Sequence, residues 1–191
     1  MKAIIRERLL ECLKNSLPLT ERYSVGDPEY VRLAQDWLRG CEESMLAIRQ
    51  VGLATTVSSQ RTRIVSAANG MVDDEFVPKR ALLRKLTRAV TAKSINTVIA
   101  IFNNEVDRID ADLKPLGDKI AEIVAAGQVL HVIPPRGKKP RSDWLNEVWK
   151  ILISNESTHA AATLVSSRLS RVDVVYLLDQ SLLDLESNLN T

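Results

Sequence analysis

Two histidines, His131 and His159, are the side chains of this sequence whose ordinary titration falls near neutral pH, so proton transfer would draw on them first. The sequence contains no GxxxxGKS/T, GxGxxG, GxSxG or HExxH, and therefore no phosphate cradle, dinucleotide fingerprint, nucleophile elbow or zinc pair of those kinds. No metal and no cofactor are expected. Asp107, Asp110 and Asp112 share a helical pattern with Arg108 and Lys114 and read as surface charge. Ser166, Ser167 and Ser170 have no base at a suitable spacing, and helix capping accounts for them.

The segment Ile153-Ser154-Asn155-Glu156-Ser157-Thr158-His159-Ala160 places a polar run and a histidine where two helices meet or one bends. It resembles the HEPN signature, in which an arginine, a polar residue such as asparagine and, a few residues on, a histidine lie near a helix start in a helical bundle. The stretch from Asn155 to His159 carries the likeness, as does Ser170-Arg171-Val172-Asp173 opening a final helix. Ser154 stands where the family has arginine, and the likeness covers a minor part of the 191 residues.

That resemblance implies Asn155 and His159 as the site, acting on RNA without a metal. In such chemistry the 2′-OH is the nucleophile, a histidine moves protons, and an arginine holds the scissile phosphate. Loss of one such charge-stabilising donor costs roughly 100 to 1,000-fold in rate. Catalysis here would be weak unless Arg168, Arg171 or a partner chain supplies the charge. The family occurs often in bacterial and archaeal toxin–antitoxin and antiviral defence systems, which implies an RNA or protein partner.

Charge adds a second candidate surface. The formal net charge is only +2, but Lys79, Arg80, Arg84, Lys85, Arg88 and Lys93 run without an acid, and Arg136, Lys138, Lys139 and Arg141 follow later. Arg80, Arg84 and Arg88 share one face at i, i+4 spacing, as neutralising successive phosphates requires. Arg80, Arg84, Arg88, Arg136, Lys138 and Lys139 are therefore the candidate nucleic-acid contacts. A solvated helix face explains the same run, and the aromatic interleaving of single-strand binders is missing. The carboxyl end is acidic, with Asp173, Asp179, Asp184 and Glu186.

Composition sets the frame that must position these groups. Gly and Pro number 7 each, below the average of about 12% for the pair, and helix formers are plentiful. An all-α bundle of about six or seven helices around one long central helix is expected, as a single domain over 1–191, with subdivision conceivable near 70–78 and in a loop at 128–141. Cys12 and Cys41 sit at apolar helical positions without CxxC spacing, and charges interrupt the first apolar stretch. With no run of about 18 uncharged apolar residues, the expectation is a cytoplasmic chain that does not enter a membrane.

Along the chain, Ile5, Leu9, Leu13 and Leu17 predict a helix over 2–17 that Pro18 stops. Asp27 and Pro28 predict the start of a second, with Tyr30, Ala34, Trp37, Cys41, Met45 and Ile48 inward and Gly52 at its end. A third spans 56–68, with Val57, Ile64, Val65 and Ala68 inward, and stops at Asn69 and Gly70. After an acidic connector at 72–77, Pro78 opens a long apolar periodicity, either one spine or broken near 91–95, that Pro115 and Gly117 end. A short helix then closes at Gly127. Ser142 is expected to cap a helix over 143–153, another covers 156–169, and a Ser170 and Asp173 capping box opens the last. Trp144 and Trp149 pack in the core or, alternatively, between helices of two copies.

Three readings follow: a non-catalytic or weakly catalytic HEPN-like binding protein, acting as a homo-oligomer and most simply a homodimer; a metal-independent RNase using His159; and a structural helical adaptor.

Overall fold

Apolar stripes at helical spacing dictate an all-α chain, and the computed structural model of the protein is one. It describes residues 1–72, 75–76 and 80–189; at 72, 75–76, 80–82, 186 and 188–189 only the backbone class is described. The helices are α1 (Lys2–Lys14), α2 (Leu17–Ser24), α3 (Tyr30–Ala47), α4 (Val51–Ala68), α5 (Arg80–Val129), α6 (Arg141–Ser154), α7 (Glu156–Arg168) and α8 (Arg171–Leu189). All but the eight-residue α2 are thirteen residues or longer. A two-residue antiparallel ladder, β1 (Met71–Val72) with β2 (Glu75–Phe76), pairs Met71 with Phe76. No helix among the described residues is long and apolar enough to cross a membrane.

The chain divides into two compact units, one of Ile5–Asp107 and one of Met1–Ile4 with Arg108–Thr191. In the first, Leu19, Tyr30, Ala34 and Ile95 form a buried cluster against which Val31, Leu33, Trp37 and Ile99 pack. In the second, Trp144, Val148, Trp149, Leu152, Ala162, Val165, Val174 and Leu178 are buried along α6, α7 and α8. Both tryptophans are thus core residues, and their indole N–H groups are satisfied by the Pro134 carbonyl at 2.8 Å and Ser166 Oγ at 3.3 Å.

The long helix is a single spine of fifty residues, with no break at 91–95. The weak helix formers there are accommodated: Thr91 and Thr87 turn their hydroxyls back onto the carbonyls of Thr87 and Leu83 at 2.7 and 2.9 Å. Val90, Ile95, Val98, Phe102, Val106, Ile109 and Leu113 are buried along it, and tertiary burial outweighs a few tenths of a kcal/mol of propensity per residue.

Pro115 and Gly117 lie inside α5 and do not end it. Pro115 withholds one N–H from the turn above it, but the buried positions resume at Ile120, Ile123 and Val124 and carry the helix onward. Pro18 likewise starts a helix, standing in the first turn of α2 where its missing N–H is harmless. Residues 77–79, with Pro78 and Lys79, lie outside the described residues.

Several ends differ from expectation. α3 ends at Ala47, with Arg49 just beyond it in the left-handed region at φ 60°, and Gly52 lies within α4, which starts five residues earlier than expected. Thr55 and Thr56 join that helix by bonding back to the Val51 and Gly52 carbonyls. Val65 and Ala68 point outward, because the true 3.6-residue period selects Ala54, Val57, Ile64 and Ala67. Asp27 binds the Glu29 amide at 2.8 Å just ahead of α3 instead of capping its first turn, and Ser142 lies within α6. Gly70, at φ 86°, closes α4 as its residue type requires.

Candidate functional site

The joint between α6 and α7 is built by one residue serving both helices. Asn155 has extended backbone angles; its N–H still bonds the Ile151 carbonyl at 2.9 Å, while its side-chain oxygen accepts the Ser157 amide at 3.0 Å. Its own carbonyl accepts the amides of Thr158 and His159 at 3.1 and 2.8 Å. Asn155 is therefore the C-cap of one helix and the N-cap of the next.

The last carbonyls of α6 would otherwise be orphaned, and the first turn of α7 satisfies them. Thr158, buried, donates its hydroxyl to the Leu152 carbonyl. His159 contacts the Ile153 carbonyl through Nδ1 at 2.6 Å. A carbonyl only accepts, so Nδ1 carries the hydrogen, and in the neutral ring Nε2 is left as the acceptor. The residue is exposed, as is Ser154. The histidine is thus held in one tautomer on an open surface, with its basic nitrogen outward from the backbone bond.

Of the arginines considered for phosphate charge, Arg171 gives both Nε and Nη2 to the Asn146 side-chain oxygen at 3.0 and 2.8 Å. Arg168 is exposed at the end of α7. Among the described residues no group of three or more His, Cys, Asp or Glu side chains is placed to hold a metal.

The basic residues have separate fates. Arg88 is half-buried and committed to the fold: its guanidinium donates to the carbonyls of Asp27 at 2.9 Å, Arg22 at 3.3 Å and Tyr23, and lies 5.0 and 5.1 Å from the ring centres of Tyr23 and Tyr30. It closes the carboxyl end of α2 and stacks on two aromatic rings. Burial pushes the Tyr30 hydroxyl up to about 12. Arg84 is exposed one turn away, and the side chain of Arg80 lies outside the described residues. In the 130–140 loop, Arg136, Lys138 and Lys139 are exposed; Arg136 Nε bonds the Lys139 carbonyl at 3.3 Å, and Lys139 pairs with Glu147. His131 is a backbone device, at φ 55° just past the end of α5.

A pair the spacing did not join is Cys12 on α1 and Cys41 on α3. Both are free, buried, and line one cavity of about 260 Å³ with Glu11, Asn15, Trp37, Gly40 and Ser44. The Cys41 thiol hydrogen-bonds the Cys12 sulfur, which holds Cys12 below the usual thiol range, while that bond and burial push Cys41 up. Only the packing register of α1 on α3, which neither stripe encodes alone, brings them together.

No protein family, curated protein or solved structure matches the chain.

Proposed function

We propose that the chain is a non-catalytic or weakly catalytic helical binding protein, HEPN-like in its carboxyl half, that engages an RNA or protein partner as a homodimer in a toxin–antitoxin or antiviral defence setting. The observation that carries this reading is the α6–α7 joint: Asn155 and His159, at the spacing of the resemblance, are both engaged in closing helix ends, and Ser154 occupies the place of the family's arginine. A histidine so held is positioned well, but nothing in its own segment supplies the positive charge that phosphate cleavage requires.

The test compares RNA degradation in EDTA by the wild type, His159→Ala and Ser154→Arg. Equal, background-level degradation by wild type and His159→Ala supports the binding protein. A gain of cleavage in Ser154→Arg that His159→Ala then abolishes supports the HEPN-like site, and no gain removes that likeness from the argument. RNA binding that weakens steeply with salt supports a nucleic-acid partner, and salt-independent or absent binding removes it.

A second reading, a metal-independent RNase using His159, is favoured by the outward Nε2 on an exposed residue. It requires wild-type cleavage in EDTA that His159→Ala loses. The structural adaptor is favoured by the commitment of Arg88 to the α2 carbonyls.

A further inference from the structure

The two cysteines meet in a way that their sequence positions do not suggest. Cys12 and Cys41 come from different helices, each is buried, and both open onto the same cavity beside Trp37 and Ser44. Trp37 Nε1 fixes the Cys12 carbonyl at 2.9 Å, which ties the cysteine-bearing turn of α1 to α3. Gly40, next to Cys41, adds no wall: a Cβ there would meet nothing within 4 Å, so the cavity stays open on that side at the cost of a glycine inside a helix. No third ligand completes a metal set around the pair among the described residues.

We propose that Cys12 and Cys41 form a redox modification site, in which a low-molecular-weight disulfide such as oxidised glutathione converts the two thiols to an intramolecular disulfide that staples α1 to α3. Cys12 is the attacking sulfur, because it is the less deeply buried of the two thiols in the shared cavity and has both Cys41 and Ser44 beside it there, whose hydrogen bonding favours its thiolate. Its sulfur attacks one sulfur of the small disulfide; that S–S bond breaks, and the departing thiolate takes the electron pair and a proton from solvent. Cys41 then gives up its proton, and its sulfur displaces the second small thiol from the mixed disulfide on Cys12. Two protein thiols are oxidised by two electrons, and one small disulfide is reduced to two thiols.

The experiment uses the full chain and oxidised glutathione, followed by alkylation under denaturing conditions and intact-mass measurement. The wild type is expected to lose both alkylatable thiols and about 2 Da, without interchain species, and to recover both with dithiothreitol. Cys41→Ser should stop at a glutathione adduct on Cys12, and Cys12→Ser should react at Cys41 roughly tenfold more slowly or less readily still. Thiols that both stay alkylatable, glutathione adducts as the wild type's end state, or interchain disulfides would each overturn the proposal, and equal rates in the two variants would overturn the assignment of Cys12. The wild-type result decides the disulfide even if a serine variant fails to fold.

Discussion

The carboxylate of Asp173, at the start of α8, accepts the backbone amide of Ala3 in the first turn of α1 at 2.8 Å. The same side chain takes the Ser170 hydroxyl at 2.7 Å and the terminal ammonium of Met1, and its own amide returns to Ser170 Oγ at 3.3 Å. It is only 2% exposed. Burial alone would raise its pKa, but the hydrogen bonds from the ammonium, Ser170 and the amides of Ala3 and Lys2 outweigh burial and hold it below the ordinary carboxylate range. A depressed folded pKa gives stability that is present above the unfolded value near 4 and is lost as pH falls through the folded one. Asp173→Asn should cost about 2 to 3 kcal/mol at pH 7. In chemical denaturation from pH 7 downward, the gap between variant and wild type should close below about pH 4; a constant gap would show that the charge contributes nothing.

Two glycines in helices should respond to alanine with opposite signs. At Gly127 a Cβ would stand 2.5 Å from Leu152 Cδ2 and 3.3 Å from Ile133 Cγ1, and Leu152 is fully buried, so the added methyl must displace packed side chains. Overpacking of about 1 to 3 kcal/mol then exceeds the helix-propensity gain of about 1 kcal/mol. Gly127→Ala is expected to destabilise by about 1 kcal/mol, and thermal unfolding should fall accordingly. At Gly40 the space is open, so Gly40→Ala should stabilise by about 0.5 to 1 kcal/mol. The same direction for both would refute the packing argument.

These glycines also mark how far the residues alone could be read. Where the backbone itself demands a residue type, the sequence was legible: Gly70 closes α4 at φ 86°, and the Ser170 and Asp173 box opens α8. The all-α class followed from composition, and the long central helix from apolar spacing that left only a break near 91–95 open. By residue type Gly52, Gly127, Pro18 and Pro115 are helix stops, yet each lies inside a helix, because neighbouring burial decides whether a weak residue is overruled. At the candidate site, the capping of α7 by Asn155 belongs to the local kind. Arg88 and the cysteine pair belong to the other: their roles depend on which helices meet, and charge or hydropathy patterning carries no register between distant segments.

Three helix ends share one backbone device with different residues in it. Past α2, α3 and α5, an i to i−5 bond closes the turn at 3.1, 2.8 and 3.0 Å, donated by Asp27, Gln50 and Val132, with an i to i−3 bond inside it from Gly26, Arg49 and His131. Those three residues have φ of 76°, 60° and 55°. This is the Schellman arrangement, which favours glycine at the left-handed position, since a side chain there costs roughly 1 to 2 kcal/mol against its backbone. Arg49→Gly and His131→Gly should each stabilise by about 1 kcal/mol after the glycine's greater unfolded entropy is offset, and Gly26→Ala should destabilise by a similar amount. Denaturant midpoints at an unchanged m-value are the measurement; a loss of stability in His131→Gly would show that its imidazole makes contacts that matter more than its backbone.

Arg84 and Arg88 lie one helical turn apart and should separate binding from folding. Arg88 serves three carbonyls around the α2 end as a second, charged donor beside their backbone amides and stacks between Tyr23 and Tyr30, so Arg88→Ala removes charge-assisted hydrogen bonds and ring contacts together and should cost about 2 kcal/mol. Arg88→Lys should recover less than half of that, because an ammonium is a point charge and cannot reproduce the planar fork or the stacking. Hydrogen exchange at the amides of 25–33 should quicken in both. Arg84, exposed, has no such role in the fold. If the basic face of α5 meets a polyanion, Arg84→Ala should leave stability within about 0.5 kcal/mol and reduce the salt slope of RNA binding by about one unit. An unchanged slope in Arg84→Ala, with binding lost only in variants that also unfold, would reduce the arginine run to a solvated face with one internal clamp.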